Sequence, residues 1–403
     1  MSGVSASTVA TIYDLPNYYG ELLSVSPQDT PFLSAIGGLS QGGYRVNSTL
    51  FEGQSYDLST PAQPAILEAA DISTYTERAR SNWVNVAQIF QYGIGVSYTK
   101  QAATARMATA AAAGIMNPVQ NELDWQVEQY LKIAARDVNY SFIRGAYQLP
   151  TDNTTARKTR GILEAITTNA VSNLDSGTSV TGTASANTIT FTAHGLKVGD
   201  VVYFTAKTGG SGVSLNTNYY VVSVVDADTF KISTSPGGSV LSLGSNLTST
   251  TTLKRGTVLT KTLVLDLIQL VYNTVGIDMS LEPTIVVNAT LKRSLSKMFV
   301  TDMGYTELTR NVGGVNVQSI ETDFGRINML LERNMPFETI ALVHLGACAP
   351  AFLEIPGKGF LFLEPLAKTG ASEKYQLYGE VGLWHGPEQL HGKLTGVSPV
   401  SGF

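Results

Sequence analysis

The chain has 403 residues, 43% of them apolar and only 15% charged, with a formal net charge of −5. That is enough apolar chain for one large domain or two to three smaller ones, but well below the roughly 25% charge usual on soluble domains. Ser, Thr, Asn, Gln and 38 Gly fill the gap, which suits surfaces that end up packed against neighbours. The acidic balance excludes a nucleic-acid reader, which shows a basic face, though not a wall that merely surrounds nucleic acid. The single cysteine, Cys348, excludes an internal disulfide and a cysteine-based metal site and reads as a small buried hydrophobe. Residues 1–11 lack the basic head and apolar block of a leader. No apolar stretch reaches the roughly 18 residues of a membrane span. A cytosol-like compartment and no membrane partner are expected.

Residues 1–42 are polar, broken by Pro16, Pro27 and Pro31, and end in a Gly-rich turn. With one short apolar run at 32–36, the segment reads as an arm that lies on something else. Tyr44–Phe51 and Trp83–Tyr98 are β-prone runs. The residues between them, 52–81, include Pro61, Pro64, acidic clusters, Arg78 and Arg80. Loops of that length are usually functional, and the whole predicts a projecting hairpin with an extended tip. A long helix follows. Asn117 suits its N-cap, Pro118 its first position, and Gln120 completes a capping box. Leu123, Val127, Leu131, Ala134, Val138 and Phe142 recur at helical spacing, and Gly145 and Pro150 end it. At about 1.5 Å per residue this is a rod of roughly 40 Å.

Composition changes at about residue 177. Residues 177–254 are crowded with Ser, Thr and Gly, and the strands TITFTA, DVVYFTA, NYYVVSVV and TFKIST alternate with turn signals. This predicts a small all-β module, a sandwich or barrel, inserted between two α/β segments. From Leu259 a helix resumes and ends at Gly276. PTIVVN is a short buried strand, and Asn288 caps a second helix. Residues 315–397 are mostly β. The class is α+β with a β insert.

Six segments carry a resemblance: NVAQIFQYGIGVSYT (85–99), ELDWQVEQYL (122–131), RKTRGILEAI (157–166), VVNATLKRSLSKMF (286–299), ETDFGRINMLLERNMP (321–336) and LAKTGASEKYQLYGEVGLWHGPEQLHGKLTGV (366–397). In this order the chain resembles the major capsid proteins of tailed bacteriophages with the Hong Kong 97-type fold. The resemblance implies an N-terminal arm at 1–42, an E-loop hairpin region at 43–99, and a spine helix with P domain at 100–176. The inserted β domain is then 177–254, and the A domain with the remaining P-domain strands 255–403. It implies a shell subunit, not an enzyme, without cofactor. Its first partner is itself, in hexamers and pentamers; portal, a separate scaffolding protein and cement proteins are further partners, and packaged DNA is met only non-specifically. Assembly in the host bacterial cytoplasm and residence in the virion follow. The hairpin tip matches the family poorly, and the β module lies outside its core fold. An encapsulin-like compartment of the same fold is the alternative within the class.

At the hairpin tip Glu68, Asp71, Glu77, Arg78 and Arg80 are candidates for intersubunit ion pairs, since a projecting tip in a shell must meet a neighbour. His194, His344, His385 and His391 are dispersed, and His385 and His391 flank a Gly-Pro loop rather than sharing a helix face, so no metal site is expected. Ser294-Leu-Ser-Lys297 with Lys368-Thr-Gly370 mimics the motifs of penicillin-binding serine hydrolases. That chemistry needs its serine at a helix start, whereas Ser294 falls mid-helix. Asp226 and Asp228 read as a hairpin turn. Glu122, Asp124 and Glu128 read as surface pairs with Lys132 and Arg136. Lys100 raises the question of covalent crosslinking, but nothing singles out a partner.

Overall fold

The computed structural model describes residues 28–39, 43–58, 61–63, 65–69, 71, 77–102, 121–173, 177–215, 217–302, 319–368 and 370–398. The expected helix start at Asn117, Pro118 and Gln120, and most of the arm, lie outside them. The chain divides into two compact units, each built from discontinuous segments. The first comprises Met1–Gly53, Val84–Gly161 and Ala349–Trp384, and the second Gln54–Trp83, Ile162–Cys348 and His385–Phe403.

In the first unit the apolar run of the arm folds as helix α1 (Pro31–Ala35). Phe32, Leu33 and Ile36 are buried. Strand β1 (Tyr44–Val46) follows, and β2 (Leu50–Tyr56) pairs with β3 (Arg80–Val86) in a two-stranded ribbon, whose outer part, from Gln54 to Trp83, is counted with the second unit. The run 83–98, read from sequence as one strand, is broken at Ala87, whose amide donates to the Thr49 carbonyl. Its second part, β4 (Gln88–Ser97), leaves the ribbon for a larger sheet. One apolar run thus serves two sheets, and Ala87 is the point at which the chain changes partners. The larger sheet is organised by the longest described strand, β19 (Ser372–Trp384). β4 runs antiparallel along β19 from Ser372 to Val381. On its other edge lie two short strands, β17 (Ala349–Leu353) and β18 (Leu361–Pro365), and β1 adds parallel to β17.

Helix α2 (Glu122–Arg144) packs on β4 and β19. Its described start is capped by Asn121, whose Oδ1 accepts from the Leu123 amide at 3.1 Å. Ala134, Val138, Phe142 and Ile143 are buried, whereas Leu131, expected on the apolar face, is exposed, as are Ile133 and Tyr140. Periodicity marks the apolar positions of a helix but not how much of its length meets a core.

In the second unit, after the short helix α3 (Ile162–Ala165), strand β5 (Ala170–Ser172) forms one edge of a six-stranded sheet. The other members are β13 (Pro283–Val287), β14 (Ser319–Thr322), β15 (Gly325–Leu331), β16 (Ile340–His344) and β20 (Gly392–Thr395), in the order β14-β15-β13-β16-β20-β5. β13 is buried along its whole length, as its continuous apolar sequence requires of a central strand covered on both faces. Helix α4 (Lys261–Thr274) contributes Val264, Leu267, Ile268 and Val271 to the core, and α5 (Ala289–Asp302) contributes Leu291 and Leu295. Asn288 caps α5 as expected, accepting from the Leu291 amide at 2.9 Å.

The insert is a closed six-stranded barrel. Its strands are β6 (Thr178–Thr183), β7 (Thr188–Thr190), β8 (Val201–Ala206), β9 (Asn218–Val224), β10 (Thr229–Ser233) and β11 (Leu247–Arg255). Their order around the barrel is β10-β7-β6-β11-β8-β9, closed by β9 on β10. Val180, Ile189, Phe204, Tyr219, Phe230 and Ile232 are among the side chains filling it, so it has a core rather than a ligand cavity. Both ends return to the same place. β12 (Thr257–Val258) pairs with β21 (Val397–Ser398), and the Thr257 hydroxyl donates to the Asn173 carbonyl at 2.6 Å.

Candidate functional site

The β2–β3 ribbon begins from a tightly packed root. Phe51 is buried and its ring lies 6.1 Å from that of Trp384, nearly parallel. Gly382 beneath it has no room for a side chain: a Cβ there would meet the Phe51 ring and the Val86 carbonyl within 2.8 Å. Asn85, fully buried, ties three segments together. Its Oδ1 accepts from the Val86 and Arg160 amides, each at 2.8 Å, and from the Thr159 hydroxyl at 3.3 Å. Its Nδ2 donates to the carbonyls of Leu383 at 2.7 Å and Arg160 at 3.1 Å. Sequence reasoning passed over this residue. The signal was an amide set between Val84 and Val86 at the apolar end of its strand, where a buried polar group must be satisfied.

Further out the ribbon is polar. The Ser55 and Ser81 hydroxyls are 3.0 Å apart, and Arg80 donates to Gln54 at 3.4 Å. Beyond Tyr56 every described residue up to Asn82 is exposed. This includes all five candidate residues: Glu68 in a turn, Asp71, Glu77 and Arg78 in irregular chain, and Arg80 at the start of β3. The same segment exposes large apolar side chains, Tyr56 (74%), Leu58 (73%), Ile66 (75%) and Leu67 (84%). The sequence reading weighed the charges of this tip and overlooked its apolar groups. The segment thus presents apolar as well as charged side chains to solvent.

The remaining constellations resolve into structural roles. Glu128 pairs with Lys132 at 2.8 Å as an i,i+4 pair, and Asp124 accepts from Asn121. Glu122 departs from expectation. It is buried and pairs with Lys100 at 2.6 Å, which also gives Lys100 an ordinary partner. Asp226 accepts from the Asp228 amide at 2.8 Å, closing the expected turn, and that bond holds its carboxyl below the usual carboxylate range. Ser294 is buried within α5, and its hydroxyl donates to the Thr290 carbonyl at 3.3 Å. Lys368 pairs with Glu373 at 3.7 Å and belongs to the other unit.

The histidines hold a surprise for a sequence reading that took them as dispersed. His344, His385 and His391 are buried together with Cys348. The His391 Nδ1 accepts from the His344 amide at 3.2 Å, so its proton sits on Nε2 and is donated to the His385 carbonyl at 2.7 Å. Burial pushes the His391 imidazole down to about 3 and the Cys348 thiol up to about 12. Both His391 nitrogens are already committed. Among the described residues no group of three or more His, Cys, Asp or Glu side chains is placed to hold a metal ion.

Comparison with known proteins follows the same line. The family model of the SU10 major capsid protein matches residues 5–398. The capsid asymmetric unit of cyanophage A-1(L) is similar over 96% of this chain and 98% of its own, at 11% identity and a TM-score of 0.52, which speaks for a shared fold. The capsid of a native GTA particle aligns over 98% and 99% at 14% identity and a TM-score of 0.48. The structure of Mycobacterium phage Adephagia aligns over 98% of each chain at 11% identity and 0.46. No curated protein matches the chain.

Proposed function

Because the chain belongs to the SU10 major capsid protein family, and so is a shell-forming structural protein of the phage virion, we propose that it tiles as hexamers and pentamers into an icosahedral shell around double-stranded DNA. The observation that carries the reading is the family match across nearly the whole chain. The mechanism is geometric: a subunit meets its neighbours edge to edge, and stability comes from many modest interfaces. In this reading the first unit supplies the spine helix and P domain, and the second the A domain with its inserted barrel. The β2–β3 ribbon is the E-loop. Its exposed Leu58, Ile66 and Leu67, buried nowhere in the subunit, cover themselves against a neighbouring copy, with Glu68, Asp71, Glu77, Arg78 and Arg80 setting the register. The acidic balance keeps contact with packaged DNA non-specific. A portal, a separate scaffolding protein and cement proteins complete the particle, which is assembled in the host cytoplasm. The family speaks for no catalytic role. Negative-stain imaging of the purified chain should show closed shells or capsomers; uniformly monomeric protein at high concentration would refute the reading.

A further inference from the structure

The inserted barrel is fastened to the rest of the second unit by more than its two chain connections. Residues 336–339 form a turn, with the Thr339 amide donating to the Pro336 carbonyl. This turn is itself held at two points. The Pro336 carbonyl accepts from Asn288 Nδ2 at 2.8 Å, the same residue that caps α5. The Glu338 carbonyl accepts from the Val397 amide at 3.2 Å. From this anchored turn the Glu338 side chain reaches β9 of the barrel. Its Oε1 accepts from Asn218 Nδ2, and its Oε2 accepts from the Tyr220 hydroxyl at 3.1 Å. Both Glu338 and Tyr220 are buried. The Phe337 ring meets the Tyr220 ring edge-on at 6.0 Å, adding an apolar contact of favourable geometry.

We propose that Glu338 is a latch that fixes the orientation of the inserted barrel on the second unit, so that the barrel is a rigid fixture rather than a bead on two linkers. Three features support it. A carboxylate engaged through both oxygens by two side chains of one strand defines direction as well as distance, as a single bond cannot. The site is removed from water, so losing either bond while the barrel stays seated leaves a buried polar group unpaired, which is costly. The two chain connections alone leave a hinge. They meet at Asn173 and Thr257, and one attachment point permits rotation that a second, through β9, forbids. Glu338 is a positioning residue here, and the inference rests on subunit geometry whether or not the chain builds a shell.

The test uses the full chain and reads hydrogen exchange by mass spectrometry, with trypsin cleavage at Arg255 as a second measure. Glu338→Ala is expected to raise exchange at Asn173 and across residues 255–258, and cleavage at Arg255, at least tenfold. The interior strands β8 and β10 and the core strand β13 should keep wild-type protection. Glu338→Gln, which retains an oxygen acceptor and the side-chain length, should stay within about threefold of wild type. If Glu338→Ala does not fold, the pair Asn218→Ala with Tyr220→Phe removes the same latch from the barrel side and should release the linkers equally. Linkers as protected as in wild type in these variants would overturn the proposal. So would loosening of β13 together with the linkers, since Glu338 would then be holding the core and not the barrel.

Discussion

Replacing Asn85 by Ala removes five hydrogen bonds at one buried point where β3, the segment around Arg160 and the end of β19 converge. A typical internal hydrogen bond contributes about 0.5–1.5 kcal/mol net, and each buried backbone group left unpaired costs about 1–3 kcal/mol. The Val86 and Arg160 amides and the Leu383 and Arg160 carbonyls all lose this partner. Allowing for water entering the vacated space and for carbonyls that keep a strand partner, a loss of about 3–5 kcal/mol is expected. That is a large share of the roughly 5–15 kcal/mol that holds a typical protein folded. Asn85→Asp is the discriminating control. It has the same shape and keeps the three acceptor bonds, but it turns an oxygen toward two carbonyls and buries a charge, so it should be at least as damaging. Thr159→Val, which removes the one hydroxyl that bridges Asn85 and the Leu383 amide, should cost about 1–2 kcal/mol. Urea denaturation followed by exchange of the Val86 and Arg160 amides measures the local effect without assuming that both units unfold together. A loss under about 0.5 kcal/mol for Asn85→Ala would refute the view that this residue ties the hairpin root together.

Other outcomes follow from the same structure. Every described residue among 57–79 is exposed, so on replacing this segment by a short Gly-Ser turn the subunit should keep its melting temperature while particle yield collapses; normal particles with normal heat resistance would sink the interface reading. His391 is buried neutral, its imidazole pushed from 6.5 down to about 3. The unfolded chain therefore takes up a proton that the folded chain refuses as pH falls below about 6.5. This contribution is fully present above that pH and is lost progressively toward pH 3, up to about 4–5 kcal/mol at about 1.4 kcal/mol per pH unit. Burial lowers His344 in the same direction. The protection of β20 amides, corrected for the intrinsic exchange rate at each pH, should fall accordingly between pH 7.5 and 4, and less steeply in His391→Gln; protection that does not change with pH would contradict the buried-imidazole account. Joining Asn173 to Arg255 through a short flexible linker should preserve assembly, because the two ends already meet at the barrel root. The excised 177–254 segment, which has its own core, should fold alone with a β-type circular dichroism spectrum. A disordered fragment together with failed assembly would show that the barrel belongs to the core.

Much of this protein was legible from local pattern. Pro283–Val287 was legible as a short buried strand because the run Ile285–Val287 offers no polar face to water. Asn288 had to begin a helix because its side chain satisfies an amide that the helix cannot. The order of elements and six short segments were enough to indicate the capsid family. Local pattern failed where a residue's role depends on distant chain. Within the insert, four of the six strands were read, but β6 and β11, which are Thr-rich and mostly polar, were missed. Their apolar side chains, Val180, Leu247 and Leu253, are too sparse to set a period, and only closure of the barrel makes these segments strands. Leu131 has the right helical phase and still lies in water, because phase says nothing about where the supporting sheet ends. His344, His385 and His391 meet around Cys348 only after strand pairing folds back segments at least 37 residues apart. Asn85 and Glu338 are single polar letters in apolar or irregular surroundings. Local sequence determined that each must be satisfied if buried; the tertiary structure alone decided that one would knot the root of a hairpin and the other would hold a barrel in place.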